Sequence, residues 1–428
     1  MSQLKKRIYY AAEIYLESPL CIASGEEEYT DKDVIRDWDG APFIPGSSLA
    51  GAFRSFCQEQ GMDVQEVFGY TKEASGSMSA LWIYDLHFEK EVPVAIRDGV
   101  RLEQKVAVTK GKYECEVLEE GNGILHMSAM IWREGQQEKV EQAIRLSFGA
   151  IGRGELRLGT QKNRGFGKLR IGRVYRREFG PAEVSQWLEF DKEDLSNEKY
   201  EVSRSDWMQS SNRYVKLQAP LELRGGLSIR RYATGKNLPD FTSLTKRKEG
   251  GDVPVIPGSS WKGAIRERMR EILRKLQAWS ALEGECLEMF GYVSEEEEAD
   301  AEIARPSRVI VSESALSDYV WLNTTRNSIS RFENATVDTA LYTERTAVGG
   351  TTCLEILVKT SEDRGEWFVG LLLLALRDLQ NGYLAVGGNT SVGRGIFKGT
   401  GEIIIQGGKG YKEYIEALRQ KLQEVKAG

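Results

Sequence analysis

The sequence predicts an α+β protein made of two tandem copies of one plan, strand–helix–strand–strand–helix–strand, each with an inserted β-hairpin. Three observations predict it. The string Ile-Pro-Gly-Ser-Ser occurs at Ile44 to Ser48 and again at Ile256 to Ser260. Each copy opens on a strand of alternating apolar residues, and each closes on a glycine-rich loop. A chain of 428 residues is also too long for one ordinary core.

The opening strand of the first copy places Ile8, Tyr10, Ala12, Ile14 and Leu16 on one face. In the second copy Val215, Leu217, Ala219, Leu221 and Leu223 repeat the pattern. Each strand leads through a charged loop into Ile-Pro-Gly-Ser-Ser and then a helix. Leu49, Ala52, Phe53, Phe56 and Cys57 fall at helical spacing in one, and Trp261, Ala264, Ile265, Met269 and Ile272 in the other. Phe-Gly-Tyr follows both helices (Phe68 to Tyr70, Phe290 to Tyr292), and a short strand follows each, "ALWIYD" or "RVIVSE". Next comes a long polar stretch bounded by arginine, which the alternation in "VAVTKGKYECEV" marks as a projecting hairpin. A third strand, an amphipathic helix, a glycine-rich loop and a last strand complete each copy. This is the ferredoxin-like order. The expected domains are 1–176 and 213–428, with 177–212, rich in Glu, Asp and Ser, as their connection and the final helix added to the second.

Composition narrows the function classes. Hydrophobic residues make up 41% and charged residues 29%, ordinary for a soluble globular chain. The longest apolar run, Trp367 to Leu376, is about half of what a bilayer span needs and reads as a buried helix. Glu13 and Glu17 interrupt what a secretory signal would keep apolar. Five scattered cysteines share no metal-ligand spacing, so a reduced, cytoplasmic setting is expected. The net charge of −6 argues against bulk attraction to nucleic acid but leaves room for local basic grooves. Much of the acid sits in "SEEEEADAE" from Ser294 to Glu302, read as a solvated loop.

The repeated pieces suggest phosphate recognition. In Ile-Pro-Gly-Ser-Ser the proline pre-sets φ, the glycine permits close approach, and Ser48 or Ser47 (Ser260 or Ser259) caps the helix. Free N–H groups at such an end attract phosphate. Arg54 and Arg266 share one helix position, and Lys262 adds a charge in the second copy. The closing loops place Lys162, Arg164 and Lys168 around Gly165 and Gly167, and Arg394 and Lys398 around Gly393 and Gly395. Each follows a helix and precedes the last strand, which argues against a dinucleotide fingerprint; a string of phosphates suits better, with a plain helix-to-strand turn as the alternative. The hairpins carry Arg97, Arg101, Lys105, Lys110 and Lys112, then Arg326, Arg331 and Arg345.

Catalytic candidates are few. The only histidines are His87 and His126, and His126, on the polar face of a strand, reads as satisfied or exposed rather than catalytic. That leaves no footing for histidine-based chemistry or a Ser/Cys triad. Carboxylates remain: Asp31, Asp33, Asp37 and Asp39 ahead of the first helix, and Asp240 ahead of the second. An acid beside bound phosphate can hold Mg²⁺ or orient an attacking hydroxyl.

The loop acid, "VIRDWDGAPFIPGSSLAGAFR", Phe-Gly and the closing loop together resemble the RAMP superfamily. More narrowly, they are similar to the backbone subunit of type III CRISPR effector complexes, and two copies in one chain resemble a III-D-like fusion. The resemblance implies two RRM-like RNA-binding domains whose hairpin thumbs wedge into a guide–target duplex. It implies a cytoplasmic role in antiviral defense, with guide RNA, target RNA, a large signalling subunit, a small subunit and other RAMP subunits as partners, and no membrane. It further implies metal-dependent endoribonuclease activity. A loop aspartate promotes attack by the 2′-OH on the adjacent phosphate, with Mg²⁺ or another divalent ion. That aspartate falls on Asp31, with Asp33 as the neighbouring candidate, and on Asp240 in the second half; Asp31 and Asp240 would be the metal ligands. The alternative is a scaffold that holds guide RNA without cutting.

Overall fold

The computed structural model describes residues 4–25, 30–72, 75–103, 106–209, 213–232, 239–248, 251–292, 305–338, 340–360 and 365–427. The acidic run at 294–302, Lys105 and Lys236 lie outside these residues. The chain divides into two compact units. One takes residues 1–211 except 163–165, and the other takes 212–428 together with 163–165.

In the first unit β1 is Lys6–Leu16, α1 Gly46–Glu59 and β2 Leu81–Ile83. The inserted hairpin is β3, Val94–Glu103, with β4, Val106–Leu118. Then follow β5 Asn122–Ile131, α2 Gln136–Arg153, β6 Leu169–Phe179 and a short β7, Glu201–Val202. The antiparallel sheet runs β7–β6–β1–β5–β2. Without β7 this is the fourth–first–third–second order of the ferredoxin-like plan. Tyr10 lies opposite Met127 on β5 and Arg176 on β6, which fixes the register. The expected alternation is realised: Ile8, Tyr10, Ala12 and Ile14 are buried, and so are Leu49, Phe53, Phe56, Val140, Ile144 and Phe148 of the two helices. Phe53 and Phe148 meet edge to face with ring centroids 6.3 Å apart.

The connecting role expected for 177–212 is corrected. Residues up to Phe179 complete β6, and the remainder packs on the first unit. Phe190 lies 5.2 Å from the Tyr9 ring and 5.1 Å from Phe179. Leu195 is buried with Ala11 and Tyr175 on the face of the sheet away from the helices. Trp187 donates its indole N–H to the Tyr9 hydroxyl at 2.9 Å, and Trp207 packs against Tyr10 with ring centroids 5.5 Å apart. Leu195 and Trp207 sit in short 3₁₀ turns, Trp187 in a one-turn α-helix and Phe190 in the loop after it, so no hydrophobic period announces them in the sequence.

In the second unit β8 is Tyr214–Arg224, β9 Arg230–Tyr232 and β10 Phe241–Ser243. A short pair, Thr245–Lys248 and Gly251–Ile256, leads into α3, Gly258–Lys275, and α4, Trp279–Phe290. After β11, Val309–Val311, the hairpin strands are β12, Val320–Arg326, and β13, Tyr342–Val348. Then come β14 Thr351–Lys359, α5 Glu366–Gln380, β15 Ile396–Gly399 and α6 Tyr411–Ala427. The sheet order β11–β14–β8–β15 is again second–third–first–fourth. The apolar run of α5 is buried, as its composition requires, and α6 covers it through Tyr414 and Leu418. Among the described residues no helix is long and apolar enough to cross a membrane.

Candidate functional site

The helix starts explain the repeated Ile-Pro-Gly-Ser-Ser, and the explanation is packing. A Cβ on Gly46 would stand 2.3 Å from the Ile83 carbonyl oxygen, and one on Gly258 would stand 2.1 Å from that of Val311. Each helix therefore begins pressed on the end of the second strand, where only glycine fits. The caps are Pro45 and Pro257, and neither helix has a side-chain cap. This corrects the serine caps: Ser47, Ser48, Ser259 and Ser260 lie inside the first turns, Ser47 and Ser259 exposed. In the first unit Gly46 N–H already donates to Asp85 Oδ1 at 2.7 Å. A carboxylate at that end satisfies the helix start and disfavours a phosphate there. Asp85 was missed in the sequence, although Glu313 stands at the matching place in "VIVSE" and could have signalled it.

Basic residues divide into inward and outward sets. Arg97 is buried and paired with Glu119 at 2.7 Å, so it braces the hairpin base rather than reaching for a ligand. Lys262 points inward as well. Its Nζ donates to Ser307 Oγ at 2.7 Å and to the carbonyls of Val309 and Phe290 at 3.2 and 3.3 Å, tying α3 to the Phe-Gly-Tyr turn. Burial, with nearby guanidinium charge including Arg266, pulls its pKa down to about 7. Both were expected to contact phosphate, and both are engaged internally. Arg54 and Arg266 occupy the same position in α1 and α3 and make no ion pair among the described residues. Arg326 is half-buried, Arg331 and Arg345 are exposed, and Arg345 lies 4.3 Å from the Trp321 ring centroid. Arg101 is on β3, but its side chain, like that of Lys110, lies outside the described residues.

The closing loops match in detail. Each contains a 3₁₀ turn, Lys162–Arg164 and Thr390–Val392. Gly165 and Gly167 have φ of +108° and +74°, and Gly393 and Gly395 have +81° and +68°. A Cβ on Gly167 would meet the Leu158 carbonyl oxygen at 1.9 Å, and one on Gly395 would meet that of Val386 at 1.9 Å. Lys162 and Arg164 are exposed on the first loop, and Lys168 pairs with Glu17 at 3.5 Å. Arg394 lies against Gly226 of the same unit.

The acids give the clearest result. Asp33 is buried and accepts the Thr30 N–H at 2.9 Å and the Thr30 hydroxyl at 2.8 Å. It shapes the loop. Asp31 is exposed, and its Oδ2 accepts the Glu114 N–H of β4 at 2.7 Å. Asp240 is exposed too, and its Oδ2 accepts the Thr343 N–H of β13 at 2.6 Å. Hydrogen bonds common to both units align these pairs. Ile35 N–H bonds Ile22, and Leu244 N–H bonds Ile229, so Asp31 and Asp240 each stand four residues before an equivalent residue. Leu20 bonds Leu118, and Leu227 bonds Ala347, so Glu114 and Thr343 likewise match. In both units, then, one loop aspartate is pinned by the backbone of the returning hairpin strand. Its Oδ1 takes no bond from another described residue. Glu114 and Thr343 were not singled out in the sequence, since only hairpin register brings them to the loop.

No catalytic histidine joins these acids. His126 is buried beneath Glu193, with Nε2 to Oε2 at 3.4 Å, and burial lowers its pKa while Glu193 opposes the shift. His87 stacks on Phe43 and lies 3.6 Å from Asp37. Among the described residues no group of three His, Cys, Asp or Glu could hold a metal by itself. A divalent ion at Asp31 or Asp240 would draw the rest of its shell from phosphates and water, as Mg²⁺ commonly does.

Two ferredoxin-like units, each with an inserted hairpin, a pinned loop acid and a closing glycine loop, define a duplicated α+β class. No curated protein matches the chain. The RAMP superfamily matches residues 13–170 and 223–398, once in each unit, and the chain belongs to that superfamily. Membership implies a CRISPR-associated effector subunit working with RNA and with other subunits of a complex.

Proposed function

We propose that the chain is a fused backbone subunit of a type III CRISPR effector, of the III-D-like kind, that grips guide RNA and cuts complementary target RNA once opposite each half. The observation that carries the reading is the equivalence of Asp31 and Asp240. Two halves that share little sequence in this loop hold an exposed carboxylate on the same backbone N–H. In a strand splayed by the hairpin, such a carboxylate orients or accepts the proton of a ribose 2′-OH as its oxygen attacks the adjacent phosphorus. The bond to the 5′-oxygen of the next nucleotide breaks, leaving a 2′,3′-cyclic phosphate and a 5′-hydroxyl. A divalent ion held by Asp31 or Asp240, when bound, supplies charge stabilisation at that phosphate. Guide binding falls to Arg54, Arg266, the hairpin arginines Arg326, Arg331 and Arg345, and the cationic glycine loops, which suit backbone rather than base recognition.

The test is cleavage by the reconstituted complex with Mg²⁺. Asp31→Ala and Asp240→Ala should each remove one of two cuts, and the double variant should remove both while retaining target binding. Two cuts that persist in both single variants would leave a guide-holding scaffold as the better reading.

A further inference from the structure

We propose that Thr343 is a positioning residue for Asp240, and that its hydroxyl makes the second half's cutting site better ordered than the first. The inference rests on the reading of Asp240 as catalytic. Thr343 meets Asp240 through three hydrogen bonds. Its N–H donates to Oδ2 at 2.6 Å, its hydroxyl donates to the same oxygen at 3.0 Å, and its Oγ1 accepts the Asp240 N–H at 3.1 Å. The hydroxyl is thus used as donor and acceptor at once, which fixes its rotor and closes a small ring around the carboxylate. A carboxylate held by two donors on one oxygen keeps its plane, so Oδ1 faces outward in a single direction.

At the equivalent place in the first unit stands Glu114. Its backbone N–H reaches Asp31 at 2.7 Å, but its side-chain carboxylate accepts from Lys112 at 2.8 Å and offers Asp31 no hydroxyl. Among the described residues this is the one hydrogen bond that Asp31 takes, against two donors on Asp240 Oδ2. Preorganisation of this kind acts on the chemical step, since it fixes the group that must meet the 2′-OH. It does little for binding of the target strand. Asp240 and Thr343 are both solvent-accessible, so removing the hydroxyl strands no buried polar group.

The experiment is single-turnover cleavage of a matched target by the full complex, with the two products distinguished by length. Thr343→Val should slow the second cut about 5-fold, the worth of one ordinary hydrogen bond, with the target concentration at half-maximal rate unchanged. Thr343→Ser, which keeps the hydroxyl, should restore it. Glu114→Thr should quicken the first cut. If Asp240→Ala leaves the second cut intact, the catalytic reading of Asp240 fails. If Asp240→Ala abolishes the cut but Thr343→Val cuts at the full rate, the positioning role is overturned. If Thr343→Val slows both cuts together through misfolding, the Ser and Glu114→Thr variants decide, and failure of both to act as stated overturns the inference.

Discussion

Asp31 and Asp240 occupy the same place in two differently written halves, each with Oδ2 fixed by a backbone N–H of the returning hairpin strand, at 2.7 and 2.6 Å. Asp33 Oδ1, in contrast, takes the Thr30 N–H and hydroxyl inside a buried loop. The two neighbouring acids of the first loop therefore separate into different roles, and mutation should separate them too.

Asp33→Ala strands the Thr30 N–H and hydroxyl in a buried loop and should cost about 1–3 kcal/mol of stability. Asp31→Ala, at an exposed position, should cost less than about 1 kcal/mol while removing a cut. Urea midpoints of the two variants check this, and an equal loss in both would refute the division of roles.

Arg97→Ala leaves Glu119 buried without its cation and should destabilise the first unit by about 3–5 kcal/mol. Had Arg97 been a phosphate contact, the variant would keep its stability and lose only RNA affinity. Denaturant unfolding alongside a guide-binding isotherm distinguishes the two.

Arg54→Ala and Arg266→Ala should each weaken guide RNA binding and reduce the salt slope by about 1, whatever the guide sequence. Titrations at several salt concentrations with two unrelated guides provide the check. A loss confined to one guide would contradict backbone recognition.

Lys262 links stability to pH. Its folded pKa of about 7 lies well below the unfolded value of a lysine, so between these values the unfolded chain holds a proton that the folded chain has released. Stability from this group should rise from pH 7 to 9 and be flat below 7. Comparing denaturant midpoints of the native chain and Lys262→Met across that range isolates the effect. A difference that stays constant with pH would argue against it.

Thiol labelling tests the packing directly. Cys21, Cys57, Cys115 and Cys286 are buried, and burial pushes Cys57 and Cys115 up to about 11 and Cys286 to about 12; Cys353 is exposed, although partial burial and the nearby Glu355 charge raise its thiol as well. Iodoacetamide should modify one cysteine rapidly in the folded protein and all five in guanidinium, counted by intact mass. Rapid labelling of two or more in the folded state would show the cores to be looser than described.

The doubled plan was legible because alternation and helical spacing are written locally, and because Ile-Pro-Gly-Ser-Ser marks the same junction twice. Asp31 and Asp240 could be singled out as candidates because each lies in the loop ahead of a recognisable helix, while their matched bonds to the hairpin strand come from the structure. What escaped the sequence depends on partners far away along the chain. Arg97 looked like a binding arginine until Glu119 appeared across the hairpin. Lys262 looked like a helix-end cation until its carbonyl partners came from the end of α4 and from β11. The Gly46 N–H seemed free for phosphate until Asp85 closed on it. Residues 177–212 read as a linker because Phe190, Leu195 and Trp207 are single anchors, spaced by turns and loops.

That misread segment has a consequence for how RNA can be read. A four-stranded sheet of this order, left bare, offers a platform on which unpaired bases lie flat against aromatic rings. In the first unit Tyr9 is occupied by Phe190 and Trp187, and Tyr175 by Leu195 and Glu13. With its stacking bench already taken by its own chain, this unit is left with loops, hairpin and helix sides, which see the sugar–phosphate ribbon more than the letters on it. Indifference to spelling is what the proposed guide-holding role requires.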